Sequence, residues 1–538
     1  MSAAPKAIPV AALDAPRRRI NPWAIAFTVT MATFMEALDS SVANVALPHI
    51  AGGLSASVDE STWVLTSYLV ANGIVLPMSA WAVGLMGRKR FYMTCVALFT
   101  LSSFMCGFAP SLPILILARI LQGAGGGGLQ PSEQAILADT FPPEQLGMAF
   151  AIYGMAAVLA PSIGPTLGGY ITDNFNWRWI FFINIPVGVL SLILTSRLVE
   201  DPPHMQEQVA LRRRSGAMLN IDYIGLSLIA LSIGSLQVVL DKGQEDDWFK
   251  SHFITTFAVI ALVAGIALLV WEHRTKDPVI DLHLFRDRSF AACSAMMFMV
   301  GMSFYAVTAL MPLFTQTLLG YTAELSGLVL SPGGLTLMIL MPIVGRLTSM
   351  VQARWLIAFG FVTTAFALYQ MTNLNLGVDL KTLVIYNILA RFGTPFLFIP
   401  INTLAYLDVP AEKNNQISSM VNLFRNLGGS VGVSVVSTLL NRRAQVHQDT
   451  LTMHVTRFDL AFRSRLAGLG RSLMHSGYSH ADGMHQARAR IYESVQKQAA
   501  MGAYLDTIMV LVVMTLLMLP FVLALKKNEP RHGAVAVH

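Results

Sequence analysis

Charge is what this chain has least of. Charged residues make up 13% of its 538 positions, while hydrophobic residues make up 54%. No charge occurs between Glu60 and Arg88, between Glu144 and Asp173, or between Asp506 and Lys526. Soluble domains rarely contain even one such run, so the chain reads as a polytopic membrane protein. Cysteine is also scarce: Cys95, Cys106 and Cys293 each lie in an apolar segment, where a lone thiol behaves as a small apolar residue without a disulfide or metal partner. A phosphate-binding Gly-x-x-x-x-Gly-Lys-Ser/Thr loop is missing, so no nucleotide is expected to drive the protein. Neither a nucleic-acid-reading motif nor an appended signalling domain is visible, and the net charge of +6 is assigned to membrane topology. A cleavable signal peptide is not expected, because the first apolar stretch is too long and lacks a small-residue cleavage site.

What is present is a series of apolar segments, each reaching the roughly 20 residues that a helix needs to cross lipid. Fourteen spans are expected, near 22–46, 60–85, 91–109, 112–138, 147–170, 178–199, 222–241, 251–271, 289–318, 323–347, 353–373, 380–405, 416–440 and 501–525. Basic residues favour the cytoplasmic side. Arg17 to Arg19, Arg88 to Arg90, Arg212 to Arg214, Arg274, Lys276, Arg286, Arg288, Arg354, Lys413, Lys526 and Lys527 then fall inside, and both termini are cytoplasmic. The domain map that follows has an amino-terminal tail at 1–21, a six-helix bundle at 22–199, and a linker at 200–288 holding two inserted spans. A second bundle occupies 289–525 with an external loop at 441–500, and a tail follows at 526–538. Transporters built from two such halves bind substrate between them near the midplane.

The external loop carries many charges and five of the twelve histidines, and its apolar spacing is compatible with partly helical structure. It reads as a solvated loop, as a docking surface for a partner protein or, against the lack of tight ligand spacing, as a metal site.

Asp39 carries the strongest chemical signal. An ionised Asp inside a bilayer costs several kcal/mol, so it must face a polar cavity, pair with a cation or take up a proton. Counting from Pro22 at 1.5 Å per residue places Asp39 about 25 Å along its helix, with Glu36 on the same face. Arg119 lies about 12 Å from the outer end of the fourth span, close to the same depth, so an ion pair is sterically possible. A proton arriving at Asp39 would then release Arg119, unless the pair is a fixed structural one. Glu133, at about 33 Å, is expected near the cytoplasmic end of the fourth span, at the interface or beside a basic loop. Arg391 and Arg425 are intramembrane cations that either close gaps with backbone carbonyls or line the cavity. Candidate lining residues are Asn44, Gln122, Glu133, Phe298, Met302, Tyr305, Arg391 and Arg425, in a pocket that should be broad and mainly apolar. Met296, Met297, Met299 and Met302 read either as adaptable pocket surface or as ordinary packing. Gly123, Gly127 and Pro131 follow Arg119 at steps of four, and Ala156, Ala160, Gly164 and Gly168 form a second stripe of small residues that suits close helix contact in lipid. Pro161 and Pro165 remove backbone donors beside that second stripe, so a bend is expected there.

Several long motifs add a resemblance. Ala160 to Gly169, followed by Trp177 to Pro186, resembles the antiporter motif of the fourteen-span drug/proton exporters of the major facilitator superfamily. Leu38 to Pro48 resembles their first-helix motif and Arg119 to Gly128 their fourth-helix motif. Gly234 to Gly243, with Asp247, Trp248 and Phe249, resembles the inserted pair of spans in the EmrB-like branch. The likeness covers roughly residues 20 to 525. It implies an all-α major facilitator fold of two six-helix bundles plus two inserted helices, and proton-coupled export of amphipathic compounds across a bacterial inner membrane. Asp39, Arg119 and Glu36 would couple protons, with no other cofactor. Gly87, Arg88, Gly123, Gly127, Pro161, Gly164, Pro165, Gly168 and Gly169 would serve conformational change. Implied partners are lipid, the small-molecule substrates, a periplasmic EmrA-like adaptor and an outer-membrane TolC-like channel. Gly84 stands where the loop motif after the second span usually has an Asp, so a gating salt bridge there is in doubt. Other readings are a proton-coupled transporter of one metabolite or fatty acid, and a non-transporting membrane sensor.

Overall fold

The computed structural model describes residues 21–214, 222–275, 278–407 and 409–526. Arg17 to Arg19, Lys276, Lys527 and the expected tails, apart from Asn21 and Lys526, lie outside the described residues. The first helix, α1 (Pro22–Gly53), starts where Asn21 Oδ1 accepts from Trp23 N at 3.0 Å, and Pro22 suits the first turn because its missing donor is not needed there. The amino-terminal half continues as α2 (Trp63–Met86), α3 (Arg88–Gly107), α4 (Leu112–Thr140), α5 (Pro143–Asn174) and α6 (Trp179–Leu198). Two further helices follow, α7 (Tyr223–Lys242) and α8 (His252–Arg274). The carboxyl-terminal half consists of α9 (Arg288–Leu313), α10 (Ala323–Met350), α11 (Ala353–Met371), α12 (Leu380–Tyr406), α13 (Asn414–Thr452) and α14 (His480–Leu516). No strand occurs among the described residues.

Among the described residues, twelve helices are long and apolar enough to cross a membrane. The remaining two, α1 and α11, hold the corresponding places in the bundles: α1 packs on α5 and α6, and α11 packs on α12 and α14. Glu36 and Asp39 lower the apolarity of α1, and Arg354 and Gln370 lower that of α11. On α8, Val259, Leu262, Val263, Ile266 and Leu269 are exposed along the helix, a surface suited to hydrocarbon rather than water.

Small residues set the close approaches. Within the amino half, a Cβ on Gly168 would sit 3.1 Å from Val42 Cγ1, and one on Gly127 would sit 2.5 Å from the Asn72 carbonyl oxygen, so α5 presses on α1 and α4 on α2. Pro161 and Pro165 stand within the continuous α5, and the Pro161 carbonyl accepts from Ser41 Oγ at 3.3 Å. Gly169 departs from this pattern, since a Cβ there would meet nothing within 4 Å. Between the halves, α5 runs against α10, where a Cβ on Gly334 would lie 2.7 Å from Ser162 Cβ and one on Gly147 2.8 Å from the Gly345 oxygen. The inserted α7 lies on α2, through contacts of Asp241 with Thr66 and of Lys242 with Thr62, and reaches the other half where Gln237 Nε2 donates to Ser430 Oγ at 2.8 Å.

Residues 441–500 are largely helical. The long α13 continues to Thr452, the Leu460–His475 helix follows, and α14 begins at His480. Asp506 on α14 pins the α13 extension by accepting from Arg443 Nε at 2.6 Å and pairing with His447 at 2.8 Å.

Candidate functional site

The deepest polar cluster lies inside the amino half. Arg119 Nη1 on α4 donates to Asp39 Oδ2 at 2.5 Å; Arg119 is fully buried and Asp39 is 2% exposed. The other carboxylate oxygen, Oδ1, accepts from Gln122 Nε2 at 2.9 Å and from Asn184 Nδ2 at 2.7 Å. Arg119 also gives Nε to the Val64 carbonyl at 3.0 Å, and its Cζ sits 4.3 Å from the centroid of the Tyr68 ring. Ser103 Oγ closes the group, accepting from Gln122 and Asn184. Five helices therefore converge on one ion pair shielded from water. Gln122 belongs to this cluster and not to a cavity lining, because Asp39 captures its amide.

A second cluster joins the halves. Glu36, one turn before Asp39, accepts from Asn72 Nδ2 at 3.0 Å and from Gln130 Nε2 at 2.9 Å. The Gln130 oxygen in turn accepts from Arg425 Nη2, on α13 of the opposite half. Arg425 Nη1 reaches Tyr153 Oη at 3.3 Å, and its Cζ lies 5.8 Å from the centroid of the Phe398 ring. Glu36 and Arg425 are thus connected through one amide that belongs to α4.

Glu133 is neither at an interface nor beside a basic loop. It is fully buried, accepting from Thr33 Oγ1 and, at 3.4 Å, from Tyr92 Oη, because α4 turns its Glu133 face towards α1 and α3. Nor does Met302 line a cavity: it is fully buried where Gly432 lets α13 approach the α9 backbone. Met296, Met297 and Met299 are likewise buried, and Met299 lines a small cavity beside Arg391 in the carboxyl half. Phe298 and Tyr305 are half-buried, and Tyr305 packs its ring against Gly429, while Asn44 is exposed. Arg391 lies elsewhere in the carboxyl half, donating to Thr308 Oγ1 at 2.8 Å.

At one end of the molecule Arg88 forms an inter-half clamp. It pairs with Asp139 and donates to the Ala135 carbonyl at 2.9 Å and, across the halves, to Asn415 Oδ1 at 2.9 Å. Asn414 Nδ2 reaches Asp139 Oδ1 at 2.6 Å, Asn422 reaches Gln134 at 2.7 Å, and Ser419 reaches the Leu76 carbonyl at 2.8 Å. The acid that meets Arg88 is thus Asp139 of α4, while Gly84 contributes no carboxylate. Gly87, with φ of 89°, makes the turn into α3, and a Cβ there would lie 2.7 Å from Asp201 Oδ2. Asp201 also caps α3 by accepting from Lys89 N at 2.8 Å.

Residues 29–433 match the family model described as Major Facilitator Superfamily. The chain belongs to this superfamily. Among curated proteins it is 37% identical over 446 residues to the multidrug export protein EmrB of Escherichia coli strain K12, covering 82% of this chain and 85% of that protein. It is 36% identical over 456 residues to the fatty acid resistance protein FarB of Neisseria gonorrhoeae, covering 84% and 87%. Among solved structures, the human organic anion transporter MFSD10 aligns with a TM-score of 0.60 at 11% identity, covering 93% of this chain and 99% of that one. The proton:xylose symporter XylE aligns with a TM-score of 0.57 at 14% identity, covering 95% and 97%. At these identities the two structures establish the fold alone. The superfamily is one of transporters; in this member the Glu36–Gln130–Arg425 group and the Arg88 clamp join the two halves, while the Asp39–Arg119 pair lies within the amino half.

Sequence reasoning found Asp39, Arg119 and Glu36 but missed Asn184, Ser103, Asn72, Tyr68 and Gln130. Their signal is a lone polar side chain within an apolar span, which on its own does not say which charge it will serve.

Proposed function

We propose that this chain exports amphipathic organic compounds, drugs included, across a bacterial inner membrane in exchange for protons. The carrying observation is the sealed Asp39–Arg119 pair, whose carboxylate accepts from Arg119, Gln122 and Asn184 together. An opposite charge favours the ionised carboxyl and burial favours the neutral one, so a proton that reaches Asp39 trades one arrangement of these donors for another. Glu36 passes that change to the carboxyl half through Gln130 and Arg425, and the Arg88 clamp opens and closes on the cytoplasmic side. One proton falling through 100 mV supplies about 2.3 kcal/mol, enough to sustain roughly a fifty-fold substrate gradient. Counting α1 and α11 with the twelve apolar helices supports a reading of fourteen spans; an even number leaves both termini on one side, and the basic residues favour the cytoplasmic one.

The export direction is supported by the names of the relatives. In the same reading the Leu460–His475 helix and the helical extensions on either side of it form the docking surface for an EmrA-like periplasmic adaptor, which leads to a TolC-like outer-membrane channel. Phe458 and Leu460, each 80% exposed, are apolar anchors suited to that contact. A second reading, export of fatty acids, is favoured by the cationic Arg425 between the halves and by the resemblance to FarB.

The test uses everted vesicles under an imposed gradient, acid inside, with a fluorescent cationic dye and with decanoate as substrates. Accumulation of either inside the vesicles, abolished by a protonophore, supports the proposal and selects the substrate class. Uptake that persists after the gradient is collapsed rules out proton coupling, and movement in the opposite direction rules out export. Removing residues 453–479 should depress drug resistance in cells while vesicle transport continues; equal loss of both would reject the docking role.

A further inference from the structure

The two halves differ in how they treat the arginine of the fourth helix. In the amino half, Arg119 follows Leu117 and Ala118 and meets Asp39 from the first helix. The second half repeats the tripeptide as Leu389, Ala390 and Arg391, but its first helix, α9, brings no acid to it. Instead Thr308 accepts from Arg391 Nη2 at 2.8 Å, and Phe304 places its ring centroid 4.6 Å from Cζ. Arg391 is only 7% exposed. An unpaired buried cation costs several kcal/mol, and a hydroxyl and a ring face replace only part of its lost hydration.

A cavity of about 20 Å³ adjoins the guanidinium, enclosed by α9, α11, α12 and α14 and lying wholly within the carboxyl half. Its polar lining consists of Arg391 and the hydroxyls of Ser303, Thr364, Thr394 and Thr515. No acidic side chain lines it among the described residues. Thr364 Oγ1 is buried there with no hydrogen-bond partner. A hydroxyl without a partner, beside a cation without a counter-charge, is a donor set that lacks only its acceptor. The space admits one water-sized or halide-sized body, and leaves no room for the tail of an amphipath.

We propose that Arg391 and Thr364 hold a monovalent anion of halide size in this cavity, as the counter-charge that Asp39 supplies to Arg119 in the other half. The anion neutralises the carboxyl half and is distinct from any cargo carried between the halves. Its binding raises the stability of the folded chain in proportion to the logarithm of anion concentration above the dissociation constant.

The probe is chloride. The purified full-length protein is melted across a chloride titration, with gluconate keeping the ionic strength constant, and radioactive chloride binding is measured in parallel. Wild type should show a saturable rise in melting temperature and one chloride per chain. Thr364→Val should bind about ten-fold more weakly, the equivalent of one hydrogen bond to a charged group. Arg391→Met should bind none and melt identically in both salts, while Arg391→Lys should retain chloride-dependent melting. Should Arg391→Met fail to fold, wild type and Thr364→Val still decide the matter. Identical wild-type melting in both salts, or wild-type binding in Thr364→Val, would overturn the assignment. So would displacement of chloride by decanoate, which would make the cavity part of a cargo site.

Discussion

Replacing Asp39 by Asn is the most informative single change, because the structure dictates how an isostere must fail. Asp39 presents two acceptor oxygens to three donors: Arg119 on one, Gln122 and Asn184 on the other. Asparagine offers one oxygen, so its NH2 must face either the guanidinium or the two amides, donor against donor. In the first case the charge of Arg119 is left buried with only the Val64 carbonyl and the Gln122 oxygen to receive it, and in the second it keeps one neutral amide oxygen but loses its counter-charge. Breaking a buried pair from one side costs about 3–5 kcal/mol. We expect a marked drop in melting temperature in detergent and the loss of gradient-driven transport. Adding Arg119→Gln to Asp39→Asn should recover a coupling energy of about 0.5–3 kcal/mol, because no charge is then stranded. Transport should stay lost in the double variant, since neither partner remains to respond to a proton. The assays are thermal melting of purified protein and dye movement in proteoliposomes with an imposed pH gradient. An Asp39→Asn protein that melts like wild type and still transports in response to that gradient would refute the reasoning outright.

Three further outcomes follow from other parts of the molecule. Arg88→Gln removes the ion pair to Asp139 and the bond to Asn415, each worth about 1.5–3 kcal/mol for a charged donor; a cysteine placed at Ser419 should then react roughly 10- to 100-fold faster with a thiol reagent, and an unchanged rate would show that the clamp does not hold the halves. Gly168→Val drives a side chain into Val42 of α1 and should cost about 1–3 kcal/mol, read as a lower melting temperature. Outside the membrane, burial alone would raise the Asp281 carboxyl, but its bonds with Lys413 and His283 outweigh that and hold it below the usual range. Its contribution is therefore complete above the unfolded value of about 3.9 and is lost as pH falls through the lower folded value; Asp281→Asn should flatten the melting temperature against pH below about 4.

Much of this architecture is legible in one dimension because the bilayer makes it so. Hydrocarbon tolerates few charges, and counting rise per residue put Asp39 and Arg119 at one depth before any contact was known. The same counting could not say which way Glu133 turns, and the rotation of α4 buries it against Thr33 and Tyr92. Gln130 illustrates a second limit: its side chain serves Glu36 and Arg425, residues 94 and 295 positions away, and nothing local marks that service. Residues 441–500 show only that partly helical structure is compatible with their spacing, because the periodicity is carried by a basic, mostly exposed face, and the ladder of α13 simply does not stop at the membrane.

That uninterrupted helix has a mechanical consequence. One end of α13 holds Asn415 against Arg88, Arg425 sits further along, and the other end stands clear beyond Asn441 at Thr452. Its 39 residues make a rod about 58 Å long, roughly twice the thickness of the lipid interior. A tilt of 10° about one end would sweep the other through about 10 Å. A rod of that length would multiply any small tilt near the buried Gln130–Arg425 contact into a far larger displacement at its outer end.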